Sequence, residues 1–517
     1  MAKTSELKWG AILSYTQMIL NVVIGLAYSR YMIRILGQSE YGLYQTVVST
    51  ISMLSILNLG FNASYVRYYA KYKQNNDCES IYRLNGLFLL IFAVIGLIAL
   101  ACGAYLTTHL RLVFDTGLTP TEYELARKLM MLLTINLSIS FPMSVFSTII
   151  SANEHFVFLK LLGMLRTVVG PLVNIPLLLM GFRSVGLVVS SLAFSLVTDV
   201  IYIYYVIAKL DNKFFFSKFE KGLFHSLFTY TIFIAINMVV DQINNSIDKV
   251  LLGRFIGTTS VAVYSVGMSL YSYYMTISTS VSGVFTPRIH ALYNATADTQ
   301  QRDRNISDLF IRVGRIQFLI LMLFASGLVI FGKQFIRFWV GDGYDESYYV
   351  LLLIMIPASV PLIQNLGIEI QRAANKHQFR SIIYLGMAIC NLILTIYLCQ
   401  IYGAVGAAFG TGVSLILANG IIMNIYYYKA LHMDIAGFWK TILRQLLGML
   451  PAFAIGAVIK RYAPTESVLS MLAFIIVYTA CYGACVWFLS MNEYEKGLVM
   501  DPIKKVLRVY SRGKSHD

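Results

Sequence analysis

The chain has 517 residues, of which 57% are hydrophobic and only 13% are charged. A soluble domain carries about 25% charged residues, so this chain has too little polar surface to fold in water, and the soluble domain classes are excluded. The net charge of +15 does not indicate nucleic-acid binding, because the basic residues form short clusters between apolar stretches and not one patch.

Apolar stretches of about 20 residues, the length that crosses a bilayer as a helix, follow one another along the chain. The first stretch is too long for a cleaved signal peptide and predicts a retained helix. We predict an all-α integral membrane protein of about 14 transmembrane helices. The predicted spans are 9–33, 41–66, 84–106, 127–150, 157–180, 185–207, 223–247, 259–285, 309–331, 347–370, 380–400, 403–427, 437–459 and 467–490.

The connectors between these spans alternate in charge. If the N-terminus is cytoplasmic, the cytoplasmic connectors and the C-terminal tail hold most of the lysines and arginines, as the positive-inside bias requires. We therefore expect a multi-pass membrane protein with both termini in the cytoplasm. The basic residues of the tail are Lys504, Lys505, Arg508, Arg512 and Lys514.

The chain resembles itself at a shift of about 220 residues, which indicates an internal duplication. Two of the matches are polar connectors, where shared hydrophobicity cannot produce agreement. The duplication predicts two parallel-repeat six-helix lobes, 1–210 and 211–430, followed by two further helices and the basic tail in 431–517. The matches are Arg34–Tyr44 with Arg254–Tyr264, Ala152–His155 with Ala374–His377, Val185–Gly186 with Val405–Gly406, and Ile203–Tyr205 with Ile425–Tyr427.

The sequence contains no motif for a cofactor or a metal. None of its six cysteines forms a CxxC pair, and their spacing does not match a zinc site. A Walker A glycine loop is also missing, so direct use of ATP has no support. We expect no metal, no cofactor and no catalytic residue.

Three short segments carry a resemblance to a known family. The turn Gly37–Tyr44 follows a first helix that ends in basic residues, Leu59-Gly60-Phe61 ends the second helix, and Asn245–Asp248 precedes Gly253. Together with the helix number and the duplication, these segments resemble polysaccharide-transport proteins of the Wzx type. Those proteins are O-antigen and capsule-unit flippases of the superfamily that also contains the multidrug exporters of the MATE type and the lipid II flippase.

The resemblance implies a flippase that moves an undecaprenyl-pyrophosphate-linked oligosaccharide across the inner membrane by alternating access, driven by an ion gradient. Its partners would be that lipid-linked oligosaccharide, the bilayer, and polymerase or assembly proteins of the polysaccharide pathway, with no nucleic acid. A diphosphate and its sugars cannot cross hydrocarbon unaided, because each charge costs several kcal/mol there. Cationic side chains should therefore meet the diphosphate, and amide side chains the sugars.

Charged residues inside spans are the first candidates for the site. Arg166 in span 5 and Asp199 in span 6 lie at similar depth in consecutive antiparallel helices. Arg166 is a candidate for substrate binding and Asp199 for coupling to proton or sodium movement. The alternative is a structural ion pair between them.

Span 7 is unusually polar, which indicates that it lines a cavity. Its Asp241 is a second candidate for ion coupling, and Asn245 is a candidate for substrate binding. Asn21 is the counterpart of Asp241 in span 1 under the repeat, and we expect it to bind substrate too.

Arg30 and Arg34 lie one helical turn apart on span 1 and share a face. Their external position opposes the positive-inside bias, which favours substrate binding, although interfacial anchoring is the alternative. On a straight helix they point away from Asn21, so both sets line one cavity only if the helix bends, for example at Gly25.

Two further polar or helix-breaking features are predicted outside this set. In span 5, Pro171 and Pro176 are expected to interrupt the helix and free backbone carbonyls. In span 10, Glu369 and Arg372 are expected to form an interfacial ion pair.

Two other functions remain open from the sequence. A MATE-type drug or cation antiporter would share the fold but prefer acidic cavity residues, whereas these spans carry both signs of charge. A membrane glycosyltransferase or O-antigen polymerase would need catalytic residues in a substantial external loop, and the connectors here are short. The acidic segment Asp342–Glu346 is therefore expected to be an ordinary loop, and the protein is not expected to be an enzyme.

Overall fold

The computed structural model describes residues 2–115, 118–216, 223–295, 298–374, 376, 378–462, 467–498 and 500–501. The basic residues predicted for the cytoplasmic tail lie outside this range, as do Asn375 and His377 of the repeat. In the described part of the chain all regular structure is helical, which confirms the all-α prediction.

Long helices follow one another along the described ranges. Short 3-10 or π-helical turns extend several of them, at Leu54–Asn58, Tyr205–Lys209, Ile243–Ile247, Ile416–Ile422 and Val486–Ser490. The α-helices are α1 (Ala2–Met53), α2 (Phe61–Gln74), α3 (Cys78–Thr108), α4 (Pro120–Ala152), α5 (Phe156–Leu179), α6 (Arg183–Tyr204), α7 (Leu223–Gln242), α8 (Asp248–Phe255), α9 (Thr258–Ala295), α10 (Thr299–Val340), α11 (Asp345–Ile363), α12 (Leu366–Ala373), α13 (Gln378–Leu415), α14 (Met423–Leu431), α15 (Ile435–Tyr462) and α16 (Val468–Cys485).

The number of membrane crossings follows from helix length. Ten ranges of the described residues are long and apolar enough to cross a bilayer. Two of them, Thr16–Gln74 and Gln378–Leu431, have 59 and 54 residues, more than twice the ~20 that one crossing needs. Each is broken by a glycine in a non-helical conformation, Gly37 or Gly403, and therefore holds two spans. The ten ranges thus hold twelve spans. The sequence predicts two more spans, which the structure forms as α7–α8 and as α9, and the prediction of about fourteen spans is confirmed.

The turns of the two predicted repeats share unusual backbone conformations. Gly37 and Gly257 have φ angles of +76° and +118°, and Gly181 and Gly403 have φ angles of +87° and +57°. Positive φ is readily adopted by glycine, which has no Cβ, and it lets the chain leave one helix and turn into the next. The same turns thus recur about 220 residues apart, as a duplication predicts.

The structure packs as two compact units. Unit 1 comprises 1–269, 340–351 and 378–414, and unit 2 comprises 270–339, 352–377 and 415–517. These units are defined by packing alone. The division at residues 210 and 430, which rests on the repeat, stays a prediction.

Within unit 1, the first half of α1 runs parallel to α5. Gln17 packs on Gly163, and Thr167 donates a hydrogen bond of 2.8 Å to Asn21. Both contacts move toward the C-terminus by four residues on each helix, so the two helices are parallel. This is the orientation expected if spans 1 and 5 cross the membrane in the same direction.

The second half of α1 runs antiparallel to α7 and α8. Ser52 lies 3.2 Å from Ser246, and Thr46 packs on Gly253. At Gly42 the helices are so close that a Cβ would lie 1.8 Å from the carbonyl oxygen of Thr258. Only glycine fits here, which explains the Gly42 of the turn segment that the sequence singles out.

Connectors after odd-numbered spans meet at one end of unit 1. Glu40 accepts hydrogen bonds of 3.0 Å from Arg183 Nη1 and from the backbone N–H of Ser184, and Gln38 donates one of 3.0 Å to the carbonyl of Gly343. This clustering is what strict alternation of the spans requires.

Connectors after even-numbered spans meet at the opposite end. Tyr69 donates a hydrogen bond of 2.7 Å to Asn153, and Phe215 donates one of 2.9 Å from its backbone to Tyr82. Asp77 caps α3 by accepting from the backbone N–H of Ser80, and this hydrogen-bonding lowers the pKa of its carboxyl.

Unit 2 contains a buried ion pair. Arg315 on α10 donates to both carboxylate oxygens of Glu495, at 2.5 and 2.9 Å, and to the carbonyl of Ser490 at 3.2 Å. The side chains are only 10% and 3% exposed. The bidentate pair ties the segment that follows the last helix to α10.

We predict that Arg315→Gln lowers the free energy of unfolding by about 3–5 kcal/mol, because it leaves the buried carboxylate of Glu495 without a counter-charge. The double variant Arg315→Met/Glu495→Leu should cost less, since it buries no charge. Thermal unfolding of the purified protein measures both. Arg304→Gln, at an exposed arginine of the same helix, is the control, and equal unfolding of Arg315→Gln and this control would contradict the prediction.

Candidate functional site

A polar layer joins α5 to its two neighbours in unit 1, the first half of α1 and α6. Asn21 accepts the hydrogen bond from Thr167, and Arg166 is the next residue along α5. Across from it on α6 lies Asp199, close enough to Arg166 for an electrostatic interaction. The structure therefore brings Arg166 and Asp199 together, and it places Asn21 against Thr167, the residue that follows Arg166.

Arg166 and Asp199 are not tightly paired. Arg166 is exposed and Asp199 is half-buried, and no direct hydrogen bond between them is found in the part of the chain that the structure describes. The Oδ2 atom of Asp199 is buried and accepts no hydrogen bond from any described residue. A buried carboxylate oxygen normally accepts a hydrogen bond. Asp199 Oδ2 can therefore accept one from a bound molecule or ion that is not part of the protein.

The prolines of α5 do not end the helix. It runs unbroken from Phe156 to Leu179 through Pro171 and Pro176, so the expected interruption is wrong. Asn174 lies between the prolines and accepts a hydrogen bond from Ser190 on α6. Membrane helices tolerate proline where neighbouring helices supply polar contacts of this kind.

Arg30 and Arg34 are both exposed, one turn apart near the C-terminal end of span 1. The helix continues through Gly25 and has its non-helical residue at Gly37. At 100° per residue, the two arginines lie on roughly the opposite face of α1 from Asn21. Their role in substrate binding stays a prediction, separate from the α1–α5–α6 layer.

Asp241 and Asn245 are exposed at the end of α7 and in the π-helical turn that follows it. Asn245 donates a hydrogen bond of 2.7 Å to the backbone carbonyl of Asp241. A π-helical turn inserts one residue and changes the face that the rest of the span presents, and such turns are frequent at functional sites. The structure thus marks this region as irregular, while the roles of the two residues stay predictions.

The most strongly buried acidic group of the candidate site is Asp248, at the start of α8, with 2% exposure. Its carboxylate accepts hydrogen bonds from the hydroxyls of Tyr264 at 2.5 Å, Thr411 at 2.8 Å and Thr395 at 3.2 Å. Both threonines also lie within 3.4 Å of Asn391 Oδ1. We call these five residues the Asp248 cluster.

The Asp248 cluster has no direct cationic partner within the described residues. Lys249 follows it in sequence and interacts with it electrostatically. Its ammonium group, however, lies 3.5 Å from Gln45 Oε1 on α1. Three hydroxyl donors and a buried carboxylate form a site that favours a small cation, because an isolated charge is very costly in a membrane span.

Sequence reasoning named Asp248 only as one polar residue of span 7 and missed its partners. A signal was present in α13. Thr395 and Thr411 each lie eight positions from Gly403, so a chain that turns at this glycine brings them side by side. Asn391 is one turn from Thr395 on the same face. Two threonines placed symmetrically about a glycine turn in apolar spans, with an asparagine one turn from the first, indicate a site.

The predicted ion pair of span 10 is also present. Arg372 donates a hydrogen bond of 2.7 Å to Glu369, and the arginine side chain is 62% exposed. Exposed pairs of this kind contribute little to stability, which agrees with an interfacial position.

The helix number, the repeat and the charged groups within spans define a multi-pass membrane protein of the transporter type, and solved structures share this fold. The lipid II flippase MurJ in an inward closed conformation superposes with a TM-score of 0.67 at 17% identity, covering 92% of this chain and 97% of that one. A multidrug resistance MATE family transporter in an inward-facing conformation gives 0.62 at 15% identity, covering 83% and 99%.

The chain belongs to the polysaccharide biosynthesis protein family, whose model matches residues 7–293. It is 20% identical over 402 residues to a protein of Shigella flexneri described as "Putative O-antigen transporter", covering 77% of this chain and 92% of the relative. It is also 22% identical over 251 residues to a Haloferax volcanii protein described as "Probable low-salt glycan biosynthesis flippase Agl15", covering 48% and 51%. The predicted resemblance to Wzx-type flippases is confirmed at the level of the family.

Proposed function

We propose that this protein is a flippase that moves a polyprenyl-pyrophosphate-linked oligosaccharide repeat unit across the bacterial inner membrane for surface polysaccharide synthesis. The observation that carries the proposal is membership of the polysaccharide biosynthesis family combined with charged and amide side chains inside its membrane spans. Coverage of 92% of the Shigella flexneri relative supports it further.

The substrate chemistry gives roles to the candidate residues. A diphosphate needs cationic donors in the membrane, and Arg166, Arg30 and Arg34 are exposed arginines on the spans of unit 1. Asn21 and Asn245 supply exposed amides that suit sugar hydroxyls. In this proposal Arg166 binds the diphosphate within the α1–α5–α6 layer.

Transport against a gradient needs a coupled step, and we propose that a proton or a sodium ion drives it. The sequence suggests Asp199 and Asp241 for this role, and the Asp248 cluster supplies a third candidate. Asp248 is the strongest of the three, since a buried carboxylate is costly in hydrocarbon and either a proton or a sodium ion would neutralise it.

In the same proposal both termini are cytoplasmic, as the positive-inside bias favours, and the protein is a transporter and not an enzyme. Its substrate is the lipid-linked oligosaccharide, and polymerase or assembly proteins of the polysaccharide pathway are its proposed partners.

Deletion of the gene in the host tests the function. We expect lipid-linked repeat units to accumulate in the inner leaflet and surface glycan to disappear, with both effects reversed by the intact chain. A changed drug sensitivity with normal surface glycan would favour the MATE-type antiporter, which shares the fold. Repeat units accumulating in the outer leaflet would instead favour a polymerase.

A further inference from the structure

Unit 2 contains a cavity of about 280 Å³ that the proposed transport function does not use. It lies between the end of α9, the start of α10 and the segment that follows the last helix. Its polar lining residues are Arg288, Asn305, Asp308, Arg312 and Tyr494, and its apolar ones are Phe285, Leu292, Leu309, Val313 and Ile316.

The cavity lies where α10 passes from water into hydrocarbon. At ~1.5 Å per residue the 42 residues of α10 are about 63 Å long, roughly twice the ~30 Å of a hydrocarbon core. Its first turns, up to Arg315, are rich in charge and residues 318–331 are mostly apolar, so we place the polar lining at the membrane surface. Beyond Arg312 the lining residues Val313 and Ile316 are apolar. The cavity therefore has a polar part and an apolar part, which suits an amphiphile.

The polar wall of the cavity is held in place by two contacts. The guanidinium of Arg312 lies over the ring of Tyr494, 5.6 Å from its centre. The neighbouring Glu495 is fixed by its bidentate ion pair with Arg315. Arg312 is thus positioned before any ligand binds, and a guanidinium stacked on a ring keeps N–H donors for another partner.

We propose that this cavity binds the headgroup of a phospholipid that carries both a phosphate and a primary ammonium, such as phosphatidylethanolamine. Arg288 and Arg312 bind the phosphate, and the carboxylate of Asp308 binds the ammonium. The apolar residues contact the start of the acyl chains. Basic pockets between helices at the membrane surface are typical lipid-headgroup sites.

The carboxylate of Asp308 determines which phospholipid headgroup the cavity prefers. A purely anionic headgroup would satisfy the two arginines but would bring no cation to this carboxylate. A choline headgroup has no N–H to donate to it and is typically held by a cage of several aromatic rings. The lining residues that the structure describes include two such rings, Phe285 and Tyr494, and Tyr494 already stacks on Arg312.

Binding of short-chain lipids to the purified full-length protein tests the proposal. Dihexanoyl phosphatidylethanolamine, phosphatidylglycerol and phosphatidylcholine are titrated separately, and inorganic phosphate is added as a competitor. We expect the ethanolamine lipid to bind most tightly. Arg288→Gln and Arg312→Gln should each weaken it about tenfold or more, the usual effect of losing a charge-assisted hydrogen bond.

Asp308→Asn should remove the preference for ethanolamine over glycerol, and Arg312→Lys should keep part of the affinity. Arg304→Gln, at an exposed arginine of α10 outside the cavity, is the matched control, and unfolding temperatures show that each variant is folded. Equal binding of the three lipids to the unaltered protein would overturn the proposal, as would lipid binding by Arg312→Gln equal to that of the control. Tight binding of inorganic phosphate that excludes every lipid would overturn the lipid assignment.

Discussion

Asp248→Asn is expected to abolish the dependence of transport on an imposed ion gradient while leaving the protein folded. Tyr264 and Thr411 donate to the same carboxylate oxygen, and the asparagine oxygen can take its place. Thr395 donates to the other oxygen, and its hydroxyl can rotate to accept from the amide N–H that replaces it, so the cluster keeps its packing. The negative charge that attracts the cation is lost, however. At 4 Å and an effective dielectric constant near 20 that attraction is about 4 kcal/mol, or about a thousandfold in cation affinity.

The measurement is transport of a lipid-linked oligosaccharide in proteoliposomes under an imposed sodium or proton gradient. Asp211→Asn is the matched control, because Asp211 is an exposed acid in a connector of the same unit, and its left-handed backbone suits asparagine. Thr395→Val and Thr411→Val should weaken the ion dependence less, since each removes one hydroxyl from the carboxylate. Normal gradient dependence in Asp248→Asn would exclude the cluster from coupling.

The membrane spans could be predicted from the sequence because their cause is local. Each span is a run of about 20 apolar residues, and hydrocarbon forces such a run to satisfy its own backbone hydrogen bonds as a helix. The turns at Gly37 and Gly257 were equally visible, since the repeat places a glycine at both, and the structure gives both a positive φ.

The Asp248 cluster was harder to predict because its members are far apart in the chain. Asp248, Tyr264 and Thr411 come from separate helices, and each alone has an ordinary explanation as a polar residue in a long span. Only the turn at Gly403 brings the two threonines together at the carboxylate. Side-chain convergence across helices depends on packing, which composition and periodicity do not specify.

The buried pair of Arg315 and Glu495 has the same origin. The two residues are 180 positions apart, and nothing in either local segment indicates the other. Conversely, the interruption expected at Pro171 and Pro176 was derived from local propensity, and α5 stays continuous through both prolines.

The polar layer of α1, α5 and α6 leads to a second prediction with a large expected effect. Arg166→Gln and Asp199→Asn should each reduce export of surface glycan. Arg166→Gln should be the more severe, about tenfold or more, because the proposed function gives Arg166 the role of binding the diphosphate. Membrane insertion should be normal in both. Export is measured by surface labelling of the glycan in a deletion strain complemented with each variant. Arg111→Gln, at an exposed arginine outside the helical spans, is the control.

The charge swap Arg166→Asp/Asp199→Arg separates substrate contact from a structural ion pair. The two side chains interact electrostatically but share no described hydrogen bond, and Arg166 is exposed while one oxygen of Asp199 is buried without a donor. Arginine at position 199 would therefore not present its guanidinium where Arg166 does now. We expect the swap to remain as impaired as the single variants. Recovery of export in the swap would show that the pair acts only by holding α5 to α6. The diphosphate would then have to be bound elsewhere, and Arg30 and Arg34 would be the next positions to substitute.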